Sequence, residues 1–146
     1  FPKSTSGLIE NRKNVWFHPF RNPRYFRMLN LNPYPFIQQP YKIGNKWKWK
    51  GMKVGGSPWI DIDWKIWEGA AEFVHSYEIV GEENLKTNFG DLKCFVINAI
   101  GESEIGNTGL KSYFNKQFGF VRLEYDNINK SKMILNLIEV RDRIDK

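Results

Sequence analysis

The stretch NKWKWKGMKVGG, residues 45–56, sets lysine against tryptophan in strict alternation and ends in two glycines. Successive side chains of a β-strand point to opposite faces of the sheet, so this period of two predicts a strand. Trp47 and Trp49 would share one face, and the lysines between them would share the other. We therefore expect the first strand of a sheet that buries tryptophan on one side, with the glycines allowing the chain to turn.

The period of two returns along the rest of the chain. EFVHSYEIV, residues 72–80, predicts a half-buried strand, and LKCFVINAI, residues 92–100, is apolar on both faces, as a covered central strand is. Residues 117–126 and 133–140 predict two more strands around a polar hairpin connection. Short strands separated by turns, without long helices, are typical of an antiparallel meander. One face of the second strand should carry Phe73, His75, Tyr77 and Ile79.

Residues 1–44 differ from the remainder in composition. They hold six of the seven prolines and many aromatic residues. Proline fixes φ and lacks a backbone donor, so this stretch should be extended or turn-rich, with a helical turn at 23–29. Because aromatic surface is unfavourable in water, we expect an arm that packs on the sheet. The chain is then one domain, with an arm at 1–44 and an antiparallel β domain at 45–146.

Charge is divided unevenly along the chain. Residues 1–53 carry eleven Lys or Arg and one acid, whereas the remaining 93 residues carry eleven bases and fifteen acids. The basic third is either a footprint for an anionic polymer or membrane surface, or it packs against the acidic remainder and is neutralised there. A nucleic-acid groove is disfavoured, because bases would need to stack on Trp47 and Trp49 while the lysines of that strand face the other way.

Few residues suggest catalysis or metal binding. Cys94, the only cysteine, lies in an apolar strand and is expected to be a small buried hydrophobe. His75 shares its face with aromatic residues, which favours a core position. Asp61 and Asp63 lie in residues 57–69, which form either a strand or an irregular loop, and residues 101–109 indicate a long exposed loop. We predict no cofactor, no metal and no enzymatic activity; in the alternative of an uncharacterised enzyme, Asp61, Asp63 and His75 would act.

The region 86–140 resembles a pattern in uncharacterised secreted or lipid-anchored bacterial proteins. A "T-x-x-G-x-[FL]-x-C" strand is followed by a "Y-[FY]-x-x-x-x-G-[FL]-V" hairpin and an "L-x-E-[LV]" strand. These positions are filled by Thr87, Gly90, Cys94, Tyr113, Phe114, Gly119, Phe120, Val121, Leu137 and Val140. The resemblance implies a curved antiparallel sheet, similar in shape to periplasmic lipoprotein carriers, in the bacterial envelope or secreted. Any signal peptide or lipid anchor would precede Phe1 and be missing from this chain.

These observations lead to one expected architecture and function. We expect a mostly β protein with a strongly curved antiparallel sheet, or half-open barrel, of about six or seven strands. It would be a non-enzymatic envelope module, binding or structural, that holds a hydrophobic ligand, a lipid or an envelope protein on its concave face. The alternative is electrostatic binding of an anionic polymer or membrane surface through the basic third. The candidate ligand-binding residues are Trp47, Trp49, Phe73, Tyr77 and Tyr113.

Overall fold

The computed structural model describes residues 7–20, 25–55 and 70–141, and the side chains of Arg27, of residues 51–55 and of Ala70 are left out of this description. Two antiparallel sheets account for most of it, with a single short helix among the described residues. The elements are β1 (Leu8–Glu10), β2 (Asn14–Phe17), α1 (Phe26–Leu29), β3 (Phe36–Gln38), β4 (Lys46–Gly55), β5 (Ala70–Thr87), β6 (Gly90–Ser103), β7 (Gly106–Asn115), β8 (Gly119–Asp126) and β9 (Lys132–Asn136). The prediction of a mostly β antiparallel protein is confirmed.

The larger sheet is a meander in the order β4-β5-β6-β7-β8-β9. Within the described strands β4 and β9 are its two edges, so the sheet is not closed into a barrel. On β4 the alternation has the predicted effect: Trp47 is buried and Trp49 half-buried, whereas the lysines at 46, 48 and 50 are exposed. Strand β6 pairs on both sides, which confirms that residues 92–100 lie in a central strand.

Three register shifts interrupt this sheet. They lie between Trp49 and Met52 on β4, between Ile79 and Gly81 on β5, and between Tyr113 and Phe114 on β7. An extra residue in one strand of a pair increases the local twist and can turn the following side chains to the other face. On β8 the extra residue is Val121, and Phe120 accordingly packs with Phe114 on the inner face, although strict alternation would place it with the half-buried Arg122 and Glu124.

Residues 7–20 and 25–44, the described part of the predicted arm, form a small sheet of their own. Its order is β1-β2-β3, and Asn11 closes the first turn by accepting hydrogen bonds from the backbone N–H groups of Lys13 and Asn14. The helical turn expected at 23–29 appears as α1. Thus the arm is extended for the most part, but its strands hydrogen-bond to one another, which the proline-rich sequence did not predict.

Two segments need separate mention. Residues 101–109 were expected to form a long exposed loop; instead β6 and β7 continue through them to a tight hairpin between Ser103 and Gly106, where the Ser103 hydroxyl donates to the Gly106 carbonyl over 2.8 Å. The ambiguous residues 57–69, with Asp61 and Asp63, lie outside the described residues. The one helix among the described residues, α1, has four residues and is too short to span a membrane.

Candidate functional site

The face of the six-stranded sheet that meets the described arm residues, 7–20 and 25–44, is the inner face, and the opposite one is the outer face. Side chains from five strands of the sheet meet the arm residues Val15, Leu29 and Ile37 in one continuous core. The inner face is lined by Trp47, Trp49, Phe73, His75, Tyr77, Ile79, Ile97, Ala99, Leu110, Phe114, Leu123 and Tyr125. The candidate site is therefore the contact between this face and the arm.

Three of the predicted ligand-binding residues come together at the β4–β5 end of the inner face. The register places Trp47 opposite Tyr77, and their rings stack with centroids 5.5 Å apart and planes 7° apart. Phe36 of the arm meets both rings edge-on, at 5.8 Å and 5.3 Å. Trp49 meets Tyr34 of the arm edge-on at 5.3 Å. Aromatic pairs favour such offset and edge-to-face contacts, so the arm's rings occupy the aromatic surface expected to hold a ligand.

The other two predicted residues lie elsewhere. Phe73 is completely buried in a neighbouring cluster with Leu31 of the arm. Tyr113 lies on the outer face, because the register pairs it with Val96, while Phe114 is the aromatic residue that faces inward. The sequence could not distinguish Tyr113 from Phe114, since both are adjacent aromatic residues on one strand. The five residues thus do not form one continuous surface.

Arm residues 31–35 are held to the inner face by two side-chain hydrogen bonds to backbone carbonyls. The Tyr77 hydroxyl donates to the carbonyl of Tyr34 over 2.9 Å, and the Thr108 hydroxyl donates to the carbonyl of Leu31 over 2.8 Å. All five residues of the segment are buried. We call this segment, with its two hydrogen bonds, the clasp. Burial raises the pKa of both Tyr77 and Tyr34, so both hydroxyls stay protonated at neutral pH.

A buried amide pair adds to the clasp. Asn32, fully buried, donates from its Nδ2 to Oδ1 of Asn127 over 2.7 Å, and Asn127 donates in turn to the Ser131 hydroxyl. Asn32, Thr108 and Asn127 are not among the candidates that the sequence predicts. Alternating prolines mark the segment in the sequence, but the sequence holds no signal for its partners on distant strands.

His75 lies on the inner face, two residues from Tyr77 on β5 and in the same row of the sheet as Thr108, and is 1% exposed. Its ring stacks on Phe73 with centroids 5.8 Å apart, and among the described residues neither ring nitrogen has a hydrogen-bond partner. Desolvation by burial lowers the pKa of His75 to about 4, so the imidazole is neutral at pH 7. The core position expected for this histidine is confirmed.

The described residues bring together little that suggests catalysis or metal binding. Within residues 7–20, 25–55 and 70–141, no group of three or more His, Cys, Asp or Glu side chains could hold a metal ion. Cys94 is completely buried, as expected, and burial, with the nearby Glu83 carboxylate, raises the pKa of its thiol. A buried thiol with a raised pKa is a poor nucleophile.

The outer face carries charged residues of both signs on the β4–β5 and β8–β9 strand pairs. Lys46 Nζ lies 3.7 Å from Glu78 Oε1, and Lys132 Nζ lies 3.3 Å from Asp126 Oδ1. Lys46 belongs to the basic third and Glu78 to the acidic remainder. Their pairing is the kind of contact expected if the acidic remainder neutralises the basic third. Other lysines of the basic third, such as Lys48, are exposed on the same face.

A groove with a mixed polar and aromatic lining lies beside the arm. It lies where β1 and β2 meet the β7–β8 hairpin and has a volume of about 310 Å³. Phe120 packs edge-on against Phe17 of the arm at 5.4 Å and against Phe114 at 5.1 Å, and these rings form its wall. Leu8, 60% exposed, lies at the mouth.

The chain was compared with protein families, curated proteins and solved structures. No family model, no curated protein and no solved structure matches it. Functional inference for this chain therefore depends on the geometry of its own residues.

Proposed function

We propose that the protein is a non-enzymatic binding or structural module of the bacterial envelope, built as a curved, half-open sheet whose inner face is occupied by its own arm. The observation that carries this proposal is the contact of Phe36 and Tyr34 with the rings of Trp47, Trp49 and Tyr77. A ligand on that aromatic surface would compete with the arm. The three register shifts support the curvature, and the resemblance of residues 86–140 supports the location.

Under this proposal the outer face and the sheet edges are the surfaces that meet a partner. They carry exposed charged side chains of both signs, and exposed apolar side chains such as Ile100 and Ile134. Mixed surfaces of this kind are compatible with recognition of a protein partner, in which charge complementarity directs the encounter.

Titration with a fluorescent fatty acid tests whether the inner face is closed. We expect no saturable binding by the wild-type chain at neutral pH. Ile37→Asp places a carboxylate at a fully buried arm position, so it should detach the arm and create binding. Lys13→Asp, at an exposed arm position, is the matched control and should behave like the wild type. Binding by the wild-type chain at the inner face would identify a carrier and overturn the proposal.

A second candidate function is favoured by the groove of about 310 Å³ between Phe17, Phe114 and Phe120. An apolar chain could lie there without displacing the arm. The same titration separates the two candidates if it is repeated on Leu8→Trp, which narrows the groove mouth from an exposed position. Wild-type binding that Leu8→Trp abolishes supports the groove. Wild-type binding that Leu8→Trp leaves unchanged excludes the groove and indicates an open inner face.

A further inference from the structure

The position of His75 relative to the clasp suggests a property beyond binding. Tyr77, two residues along β5, donates to the Tyr34 carbonyl, and Thr108, two strands away, donates to the Leu31 carbonyl. The register places His75 opposite Gly101 on β6, and Gly101 opposite Thr108 on β7. His75 therefore lies between the two attachment points of residues 31–35.

The backbone of β6 packs closely against the His75 ring at Gly101. A Cβ atom on Gly101 would lie 2.6 Å from Thr108 Oγ1 and 3.0 Å from His75 Nδ1, so the strand approaches the imidazole as closely as a glycine allows. Phe73 covers the ring on the other side along β5. A charged imidazolium at this position would need two hydrogen-bond acceptors or water, and burying an unpaired charge is costly.

The groups that face His75 offer no counter-charge among the described residues. Across β4 it faces Trp49, and across β6 and β7 it faces Gly101 and Thr108. On its own strand the titratable residue on the same face is Tyr77, and Tyr34 of the arm packs on Trp49, the residue opposite His75; burial raises the pKa of both phenols. These phenols stay neutral in acid, so among the described residues no group would compensate a proton on His75.

We propose that His75 is an acid-sensitive release for the arm: protonation of its imidazole opens the clasp and uncovers the inner face of the sheet. A charged ring must reach water, and residues 31–35 are attached to the inner face at Tyr77 and Thr108, the hydrogen-bonding residues nearest to His75 in the register. When these residues lift and carry Phe36 with them, the rings of Tyr34 and Phe36 leave Trp47, Trp49 and Tyr77, which become exposed as an aromatic surface.

The direction of the pH dependence follows from the two protonation states. With the arm closed, desolvation holds the pKa of His75 near 4, whereas a solvated histidine has a pKa of 6.5. The closed form is fully stabilised above pH 6.5, and this stabilisation is lost as the pH falls from 6.5 to about 4. That difference shifts the equilibrium toward the open form by up to roughly 300-fold.

Hydrogen exchange on the intact chain, measured between pH 7.5 and 4 and corrected for intrinsic rates, tests the proposal. We expect the amides of residues 25–41 to lose protection below pH 6 while those of β6 remain protected. His75→Gln, which stays neutral, should keep the arm protected at every pH in that range. His18→Gln removes the only other imidazole of the chain, which packs on Tyr34 of the clasp at 5.5 Å. This variant should still lose arm protection below pH 6, and loss of the pH dependence would assign the release to His18 and overturn the proposal.

Two exchange results on the wild type and His75→Gln would overturn the proposal. One is an identical pH profile for His75→Gln and the wild type; the other is simultaneous loss of protection in the arm and β6, which indicates global unfolding. Thr108→Val provides a variant that keeps His75 but removes one hydrogen bond of the clasp. It should move arm release to higher pH, and an unchanged release pH would also contradict the mechanism. Failure of this test would leave the proposed module function standing.

Discussion

The two faces of the six-stranded sheet differ most clearly on β4, where one residue step moves a side chain from core to solvent. Trp47 is 7% exposed beneath the arm, whereas the Lys46 side chain beside it is 72% exposed on the outer face. The inner face holds aromatic rings packed against the rings of the arm. The outer face holds exposed charges around Lys46 and Glu78 and, elsewhere on the sheet, a smaller apolar cluster of Cys94, Val96, Tyr113 and Val121. Stability should therefore depend most on the inner face, while the charged part of the outer face remains available for change and for partners.

Removal of a ring from the inner face should have the largest effect. Trp47→Ala deletes the side chain that stacks on Tyr77 and meets Phe36, and such truncations cost about 3–5 kcal/mol. Lys48→Ala, one residue away on the outer face, should change the free energy of unfolding by less than about 0.5 kcal/mol. Urea unfolding of both variants measures the difference. Equal losses would show that the two faces do not differ as described.

Two glycines on neighbouring strands provide a matched test of close packing. A Cβ on Gly101 would approach Thr108 Oγ1 to 2.6 Å on the inner face, whereas a Cβ on Gly109 would meet only ordinary contacts of 3.5 Å and more near Asp126. Gly101→Ala should therefore destabilise the fold by about 2 kcal/mol. Gly109→Ala should be neutral or slightly stabilising, because alanine restricts the unfolded chain. A neutral Gly101→Ala would mean that the inner face is less tightly packed than the distances indicate.

The hydrogen bonds of the clasp should contribute less than the rings. Thr108→Val keeps the shape of the side chain but leaves the Leu31 carbonyl without its donor, which should cost about 1 kcal/mol. Thr108→Ser retains the hydroxyl and should lose less. Thermal unfolding ranks the two variants. If the valine variant is as stable as the wild type, the hydrogen bond from Thr108 does not stabilise the docked arm.

The features that sequence could predict are those with a local period. Alternation on β4 and β5 was sufficient to place Trp47, Tyr77 and Lys46 on their faces, because each face is decided by neighbours two residues apart. The contacts of Thr108 with Leu31 and of Asn32 with Asn127 join residues 77 and 95 positions apart. No local pattern encodes such pairs. For a related reason the sequence could not show whether Tyr113 or Phe114 faces inward. Both residues are aromatic, so either one could complete an apolar face.

The smallest effect should come from the ion pair that joins the basic third of the chain to its acidic remainder. Lys46 and Glu78 lie 3.7 Å apart, with side chains 72% and 41% exposed. Exposed pairs contribute about 0.2–1 kcal/mol, because water screens the charges and ordering two long side chains costs entropy. A double-mutant cycle with Lys46→Ala and Glu78→Ala should give a coupling energy in this range that decreases at 1 M salt. A coupling as large as the loss in Trp47→Ala would mean that charge on the outer face, and not aromatic packing on the inner face, governs how this sheet is held together.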